Sequence, residues 1–469
     1  MTRPPPSDSV RSIVENALPS IKVLAVSMMP TQRIVRPFKV RLANGKTLLL
    51  NLSPPPSRLL RSEQWPIQSE AVVVDWLSKD ISPREESITQ LIDKINDEEI
   101  TPLRRSSRPG EHQSASEVSI SLTLQLVKYL PTLIKHSLTA AEYRTPFGLY
   151  EPTPGEPVSS LAWPLSDKER MSLDYQKGCL MRRIVEPTSP NGSFGLAVSV
   201  LGSPPSIDDA RGKAREPTLD LSGTTSWRET FHSLLESILR DGEDLAVTVS
   251  YELIRTTFHR FAHLLDAVTT PRLVVFDVDE DDNLLVSRLE RRHESHAKEE
   301  IPKVSMEREE KESEECLIQL TGLRDWSNCI FGDPLFATVF SHPTPEFERG
   351  FRRRPGSRRS EDERDQPQGR RLADVIEDPD NAANRILLYE CYHATVSIVR
   401  QFYRPGIDSS RREIVARRRL TAALAKLGRM EVDIEERDGP AAKRPRRPSR
   451  EYFPVKRSRS EVEIKEEEV

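Results

Sequence analysis

Cysteine is scarce in this chain. The 469 residues hold four, Cys179, Cys316, Cys329 and Cys391, far apart and with no Cys-X-X-Cys pair. That excludes a disulfide framework and the usual zinc spacings, and it fits free thiols in a reducing compartment. Long apolar runs are missing too. None approaches the ~20 residues that span a bilayer, and Met1-Thr2-Arg3-Pro4-Pro5-Pro6-Ser7 lacks the apolar stretch of a secretory signal. The expectation is an intracellular protein with no membrane partner. Excess positive charge is also absent: 69 Lys and Arg against 73 Asp and Glu leave a net charge of −4, so no global basicity points to nucleic acid. Glycine is sparse, 19 residues against 37 prolines. His293 and His296 sit in a dense charged run and read as solvated surface, not as zinc ligands.

What is present comes in blocks. Hydrophobic residues make up 36% and charged residues 30%, the balance of a sizeable core that carries long solvated or disordered segments. Residues 1–30 read as an N-terminal tail, Pro- and Ser-rich over 1–20. Phe38-Lys39-Val40-Arg41-Leu42 alternates, Asn44-Gly45 turns, and Thr47 to Leu52 returns as a strand, together a hairpin. A helix is expected over about 57–77, divided by Pro66. Residues 79–118 are polar and read as an insertion. Phe147 to Pro152 reads as a short strand entering a linker. Ser166 with Glu169 three residues on is a capping box that opens a helix to about Ile184. Further helices are expected over about 226–240, 251–266, 384–402 and 411–427. Charged insertions occupy 288–315 and 351–371, and 431–469 is a charged, disordered tail.

Two stretches carry the chemistry. One is Leu273-Val274-Val275-Phe276-Asp277, an apolar run ending in a carboxylate, followed by Asp281-Asp282-Asn283-Leu284-Leu285-Val286. The other is Gly322-Leu323-Arg324-Asp325-Trp326 with Gly332-Asp333-Pro334-Leu335. Phosphoryl transfer needs little covalent help. It needs metal ions on the phosphate oxygens, a group to orient the acceptor hydroxyl, and cations over the phosphates. A base after one strand, an amide or carboxylate a few residues on, and a second carboxylate from the next hairpin is the order such a site uses.

On these residues the chain resembles the aminoglycoside phosphotransferase and choline-kinase-like family of the protein-kinase-like fold. That family's catalytic loop reads H-G-D-x-x-x-x-N before an apolar strand, and its metal segment reads G-x-I-D-W and then G-D-P. The resemblance spans about residues 34 to 402. It implies an α+β fold of two lobes: a small antiparallel-sheet N-lobe (31–150) and a mainly helical C-lobe (151–430). It implies ATP and Mg²⁺ as cofactors and a hydroxyl of a small molecule as acceptor. By carry-over Asp277 is the catalytic base, Asn283 or Asp282 a metal ligand, and Asp325 the main metal carboxylate. Glu70 matches the helix glutamate that pairs with a strand lysine, and Tyr150 and Glu151 lie near the hinge that contacts adenine. Asp333 reads as structural, bonding back to the catalytic-loop backbone.

The departures are substantial. Val275-Phe276 replaces His-Gly, and the spacing from Asp277 to Asn283 is one residue too long. Arg324 stands where the family prefers an apolar residue. Asn51 stands in the expected lysine position, and Met28-Met29-Pro30-Thr31-Gln32 replaces a Gly-rich phosphate loop. Loss of one preorganised donor costs about 3 kcal/mol, roughly a hundredfold in rate, and Arg58 or Arg61 is a candidate substitute. These departures favour an alternative of another class, a catalytically degraded pseudokinase serving as a nuclear interaction module. The tail supports nuclear import: Lys443-Arg444-Pro445-Arg446-Arg447-Pro448 and Lys456-Arg457-Ser458-Arg459 form a two-part basic cluster for an import receptor. Ile464-Lys465-Glu466-Glu467 resembles a sumoylation acceptor site. The basic clusters have little aromatic interleaving, which argues against nucleic acid. Trp163, Trp227 and Trp326 are expected in the core.

Overall fold

The computed structural model describes residues 7–31, 33–79, 126–137, 145–202, 223–288, 318–353 and 375–438. The three expected insertions lie almost wholly outside these residues, as do His293, His296, Cys316 and the basic clusters. The chain divides into two compact units, Met1–Leu427 and Gly428–Val469.

The N-terminal part of the first unit is a five-stranded antiparallel sheet of β1 (Val23–Met28), β2 (Arg36–Leu42), β3 (Thr47–Leu52), β4 (Thr132–Ser137) and β5 (Phe147–Glu151), in the order β1-β2-β3-β5-β4. The hairpin expected from alternation is β2–β3. Its turn places Gly45 at a φ of 84°, a left-handed conformation open to glycine at little steric penalty. Strand period two sorts the side chains by face. Phe38, Val40, Leu42, Leu48, Leu50, Leu52, Phe147 and Leu149 form one core cluster. Asn51 and Tyr150 alternate with members of that cluster and face the other way.

Residues 7–17, expected as tail, instead form helix α1 (Ser7–Ala17). Val10, Ile13 and Val14 recur at helical spacing and are buried in the same cluster. The Pro and Ser around them set the composition, but three well-spaced apolar residues suffice to bury one face. The helix expected over 57–77 is broken into two short 3₁₀ turns and α2 (Pro66–Lys79). Pro66 begins α2 instead of dividing it, because the first helical position has no intrahelical partner for its N–H.

The rest of this unit is mainly helical. Helix α3 (Asp167–Ile184) carries the expected capping box: the Ser166 hydroxyl accepts from the Glu169 N–H and the Glu169 carboxylate accepts from the Ser166 N–H. The helices that follow are α4 (Ala197–Leu201), α5 (Trp227–Asp244), α6 (Tyr251–Phe261), α7 (Pro345–Phe351), α8 (Ala382–Tyr403) and α9 (Ser409–Asp438), the last running on into the second unit. Two small antiparallel sheets lie among them. One has the order β10 (Ile318–Leu323), β9 (Leu284–Arg288), β6 (Glu156–Pro157), and the other β7 (Gly195–Leu196), β11 (Cys329–Gly332), β8 (Arg272–Val275). Trp227 and Trp326 are core residues, whereas Trp163 is 73% exposed, against expectation. No helix among the described residues is long and apolar enough to cross a membrane.

The two lobes are pinned by ion pairs. Arg61 donates from its backbone N–H and its guanidinium to Asp241, and to Asp244 at 2.7 Å. Glu63 accepts from Arg404 at 2.5 and 2.8 Å. Arg61, a candidate phosphate cation, is therefore spent on the lobe junction, and Arg58 contributes its carbonyl to Arg404. Deeper in the C-lobe, Asp333 accepts from Arg385 Nε at 2.8 Å and from the Tyr389 hydroxyl at 2.7 Å, while the Trp227 indole donates to that same hydroxyl. Asp333 is structural as expected, but it binds α8 and its own turn, not the catalytic-loop backbone.

Arg385 is fully buried. Removing one partner of a buried ion pair is destabilising by about 3–5 kcal/mol, so Asp333→Ala should lower stability by that order in denaturant titration. Lys46→Ala, at the exposed pair with Glu151, should change it by less than about 1 kcal/mol.

Candidate active site

Strand β8 is buried through Leu273, Val274 and Val275, and pairing with β11 fixes where it ends. The chain then turns. Asn283 N–H donates to the Glu280 carbonyl at 2.7 Å, and Thr338 donates from both N–H and hydroxyl to the Phe276 carbonyl. Thr338 thus does the anchoring that was expected of Asp333. Phe276, in the position of the family's Gly, packs edge-on against Phe336 with centroids 4.9 Å apart, which holds the loop by apolar contact. The added residue is taken up on the outer side. Asp281 forms a two-point pair with Arg170 at 2.7 and 3.0 Å. Asp282 accepts from Arg324, Thr31 and Ser159.

That leaves Asn283 turned inward, fully buried. Its Nδ2 donates to the Asp277 side chain at 3.2 Å, and its Oδ1 accepts from the Asp325 N–H at 3.0 Å. One amide therefore ties the two motifs together. The structure brings Asp277, Asn283 and Asp325 to one place and leaves Asp282 outside, engaged with Arg324. Glycine at 322 is required by close approach: a Cβ there would lie 2.5 Å from Thr153 and 2.8 Å from the Tyr129 carbonyl.

A residue the sequence reading missed sits in the middle. Arg33, in the segment joining β1 to β2, donates Nη2 to Asp277 at 2.7 Å and Nε to Asp325 at 2.8 Å, and approaches Glu280 at 3.5 Å. Its side chain is 2% exposed. Burial alone would raise the Asp325 carboxyl, but Arg33 beside it holds it below its ordinary range. Two carboxylates and an amide oxygen are the donor types a hard divalent cation takes. Here the inward oxygens are engaged: Asp277 Oδ2 by Arg33 and Asn328, Asp325 Oδ2 by Arg33, Asp325 Oδ1 by the Ser327 N–H, and Asn283 Oδ1 by the Asp325 N–H. Among the described residues no three His, Cys, Asp or Glu side chains are grouped as metal ligands. The donor set suits magnesium, but Arg33 and the ion cannot use the same oxygens.

The expected cofactor residues are placed differently from one another. Glu70 is fully buried on α2; its carboxyl accepts from Asn51 Nδ2 at 2.9 Å and from the Trp326 N–H at 3.3 Å. Burial, and then the nearby Asp325, push its pKa up to about 8, while the donors from Asn51 and Trp326 favour its ionised form. Asn51 Oδ1 has no hydrogen-bond partner, and with its amide turned over it could accept the Glu70 proton. Tyr150 is fully buried, its ring lying across Gly148, where a Cβ would come within 2.7 Å of the ring. The hydroxyl end points inward beside Glu70. Glu151 points to solvent and pairs with Lys46 at 2.8 Å.

Beside Asp277 opens a cavity of about 190 Å³. Asp277, Asn328 and Thr338 line one side, Trp65 and Ser69 of the α2 region another, and Tyr392 and His393 a third. A sheet-based lobe and a helical lobe, with the loop of Asp277 and Asn283 and the segment of Asp325 meeting at their junction, make a two-lobed α+β fold. No family model matches the chain, and no curated protein sequence matches it. Solved structures do. A protein of Haemophilus somnus 129PT, provisionally named fructosamine-3-kinase, is 10% identical over 88% of this chain and 97% of its own, with a TM-score of 0.45. A counterpart from Thermobifida fusca YX-ER1 is 13% identical over 88% and 99%, with a TM-score of 0.45. Aminoglycoside 2'-phosphotransferase-IIIa in complex with GDP is 11% identical over 90% and 99%, with a TM-score of 0.44.

His393 on the cavity wall offers a pH test. Burial pushes its pKa down to about 4, below the ~6.5 of an unfolded histidine. Its stabilisation is therefore complete above pH 6.5 and is lost as pH falls through that window, at about 1.4 kcal/mol per unit. Unfolding free energies of the wild type minus those of His393→Gln should fall between pH 6.5 and 4. A flat difference would place the imidazole in water.

Proposed function

We propose that this chain is a nucleotide-dependent phosphotransferase of the aminoglycoside-phosphotransferase type, acting on a hydroxyl of a small molecule with ATP and Mg²⁺. The observation that carries the reading is Asp277. It is a buried carboxylate held at 3.2 Å by Asn283 and at 2.6 Å by Asn328, on the wall of a cavity of about 190 Å³. An acceptor hydroxyl in that cavity would donate to Asp277, which takes its proton as the oxygen attacks phosphorus. Asn283 and Asn328 fix the carboxylate so that no reorientation is needed during the reaction. When bound, the metal would neutralise phosphate charge, and Asp325 and Asn283 are the residues to hold it. The cavity is smaller than the ~300–1,000 Å³ of sites for drug-sized ligands, so it suits a small acceptor or one end of a larger one. Its carboxylates outnumber its guanidiniums, with Glu63, Asp277 and Glu280 against Arg400 and Arg419. A polyhydroxy compound that is neutral or carries one positive charge suits this lining.

A second reading, a transfer-silent interaction module, is favoured by one observation: Glu70 takes a hydrogen bond from Asn51 where the family's glutamate pairs with a lysine. Nucleotide binding separates the two. Millimolar ATP with Mg²⁺ should raise the unfolding midpoint, since a ligand that binds only the folded state stabilises it. Asp277→Asn should retain that shift while losing at least a hundredfold in transfer rate. No shift with ATP or GTP would reject the enzyme. Asn51→Lys would restore a phosphate-facing cation, and its nucleotide affinity should rise about tenfold, the order of one charge-assisted contact. Unchanged affinity would mean that phosphates do not pass over Asn51. Nuclear import remains part of the proposal: truncation after Gly439 should abolish nuclear enrichment of a fluorescent fusion.

A further inference from the structure

We infer that Arg33 and a divalent cation are mutually exclusive occupants of one site, so that the segment joining β1 and β2 acts as a gate on metal loading. The inference rests on the phosphotransferase reading only for the identity of the competing ion. An arginine on a connection between strands would ordinarily extend into water. Here the guanidinium fork is divided among three carboxylates, with Nε on Asp325, Nη2 on Asp277 and Nη1 toward Glu280. A divalent ion held by Asp325 and Asn283 would need the Asp325 oxygen that Arg33 now occupies. Arginine cannot lose its charge at any accessible pH, so the guanidinium must move away for a metal to enter.

The segment is latched at points other than Arg33. Thr31 Oγ1 donates to Asp282 Oδ2 at 2.9 Å and accepts from the Arg33 N–H at 3.0 Å. Arg324 donates to the Pro30 carbonyl at 3.1 Å while its other arm holds Asp282 at 2.8 Å. The Thr31 and Pro30 latches thus both reach one of the two motif segments, Thr31 through Asp282 and Pro30 through Arg324. This also accounts for the polar residue at 324 and for the outward-turned Asp282, which together form the seat of the closed segment. In the closed arrangement the carboxylates are neutralised without metal, and the protein is stable but not loaded. Opening exchanges one guanidinium for one metal ion, and it frees Arg33 on the same segment that the phosphate loop occupies in the resembling family.

The test uses Mn²⁺ alone, without nucleotide or acceptor, on the full chain. Bound metal is counted by electron paramagnetic resonance, and unfolding midpoints are recorded in parallel. Arg33→Gln should bind Mn²⁺ at least tenfold more tightly than the wild type. Its midpoint, lowered in the absence of metal because two buried carboxylates lose their counter-charge, should recover when Mn²⁺ is added. Arg33→Gln combined with Asp325→Asn should lose the metal response. Equal Mn²⁺ affinity in the wild type and Arg33→Gln would overturn the inference and leave the phosphotransferase reading intact. Absence of Mn²⁺ binding in both proteins, with ATP present as well, would overturn both. Where Arg33→Gln does not accumulate in folded form, refolding it with and without Mn²⁺ gives the same answer: metal-dependent recovery supports the gate, and equal yields overturn it.

Discussion

Two carboxylates, Asp277 and Asp325, are buried at the junction of the lobes and close enough to share one guanidinium. Charges taken out of water this way are tolerated only when paired and hydrogen-bonded, and much of the surrounding structure meets that demand. Arg33 supplies the cation, Asn283 and Asn328 supply amide donors, and the Ser327 N–H caps the second oxygen of Asp325. Glu70 is buried close to Asp325, and burial together with that charge raises its pKa. The amide of Asn51 gives its carboxyl a hydrogen-bond donor without adding a charge.

The same junction defines what the protein could do. The ion pairs of Arg61 and Glu63 bind the stretch before α2 to α5 and to the end of α8, and Glu63 itself lines the cavity beside Asp277. Asp277 is held in place by the amides of Asn283 and Asn328, whereas Asp325 is tied to a side chain from the connection between β1 and β2. Under the proposed function, loading of the site turns on the free energy of moving that one arginine.

Parts of this were legible in the sequence because they depend on short-range rules. The β2–β3 turn needed Asn-Gly, the start of α3 needed Ser with Glu three residues on, and the spacing of Gly322, Asp325, Gly332 and Asp333 marked the segment that meets Asp277 and Asn283. Asn283 was legible for the same reason, because a strand starts directly after it. The rest depended on contacts far apart in the chain. Arg33 meets Asp277 across 244 residues, and no local pattern distinguishes it from a solvated arginine. The partners of Asp333 lie on α8, 52 and 56 positions away. The α1 helix was hidden by the prolines and serines around three apolar residues. The packing of the Tyr150 ring over Gly148 likewise has no signal in the local sequence.

The central claim is that one guanidinium neutralises both carboxylates in the folded protein. A double-mutant cycle in denaturant tests it most directly, with Arg33→Gln and Asp325→Asn made singly and together. Residues in one ion-pair network couple by about 0.5–3 kcal/mol, and a charged, buried contact of this geometry should lie at the upper end, with the double variant more stable than the two single losses imply. Effects that add to within about 0.3–0.5 kcal/mol, as for distant sites, would show that Arg33 does not sit between Asp277 and Asp325.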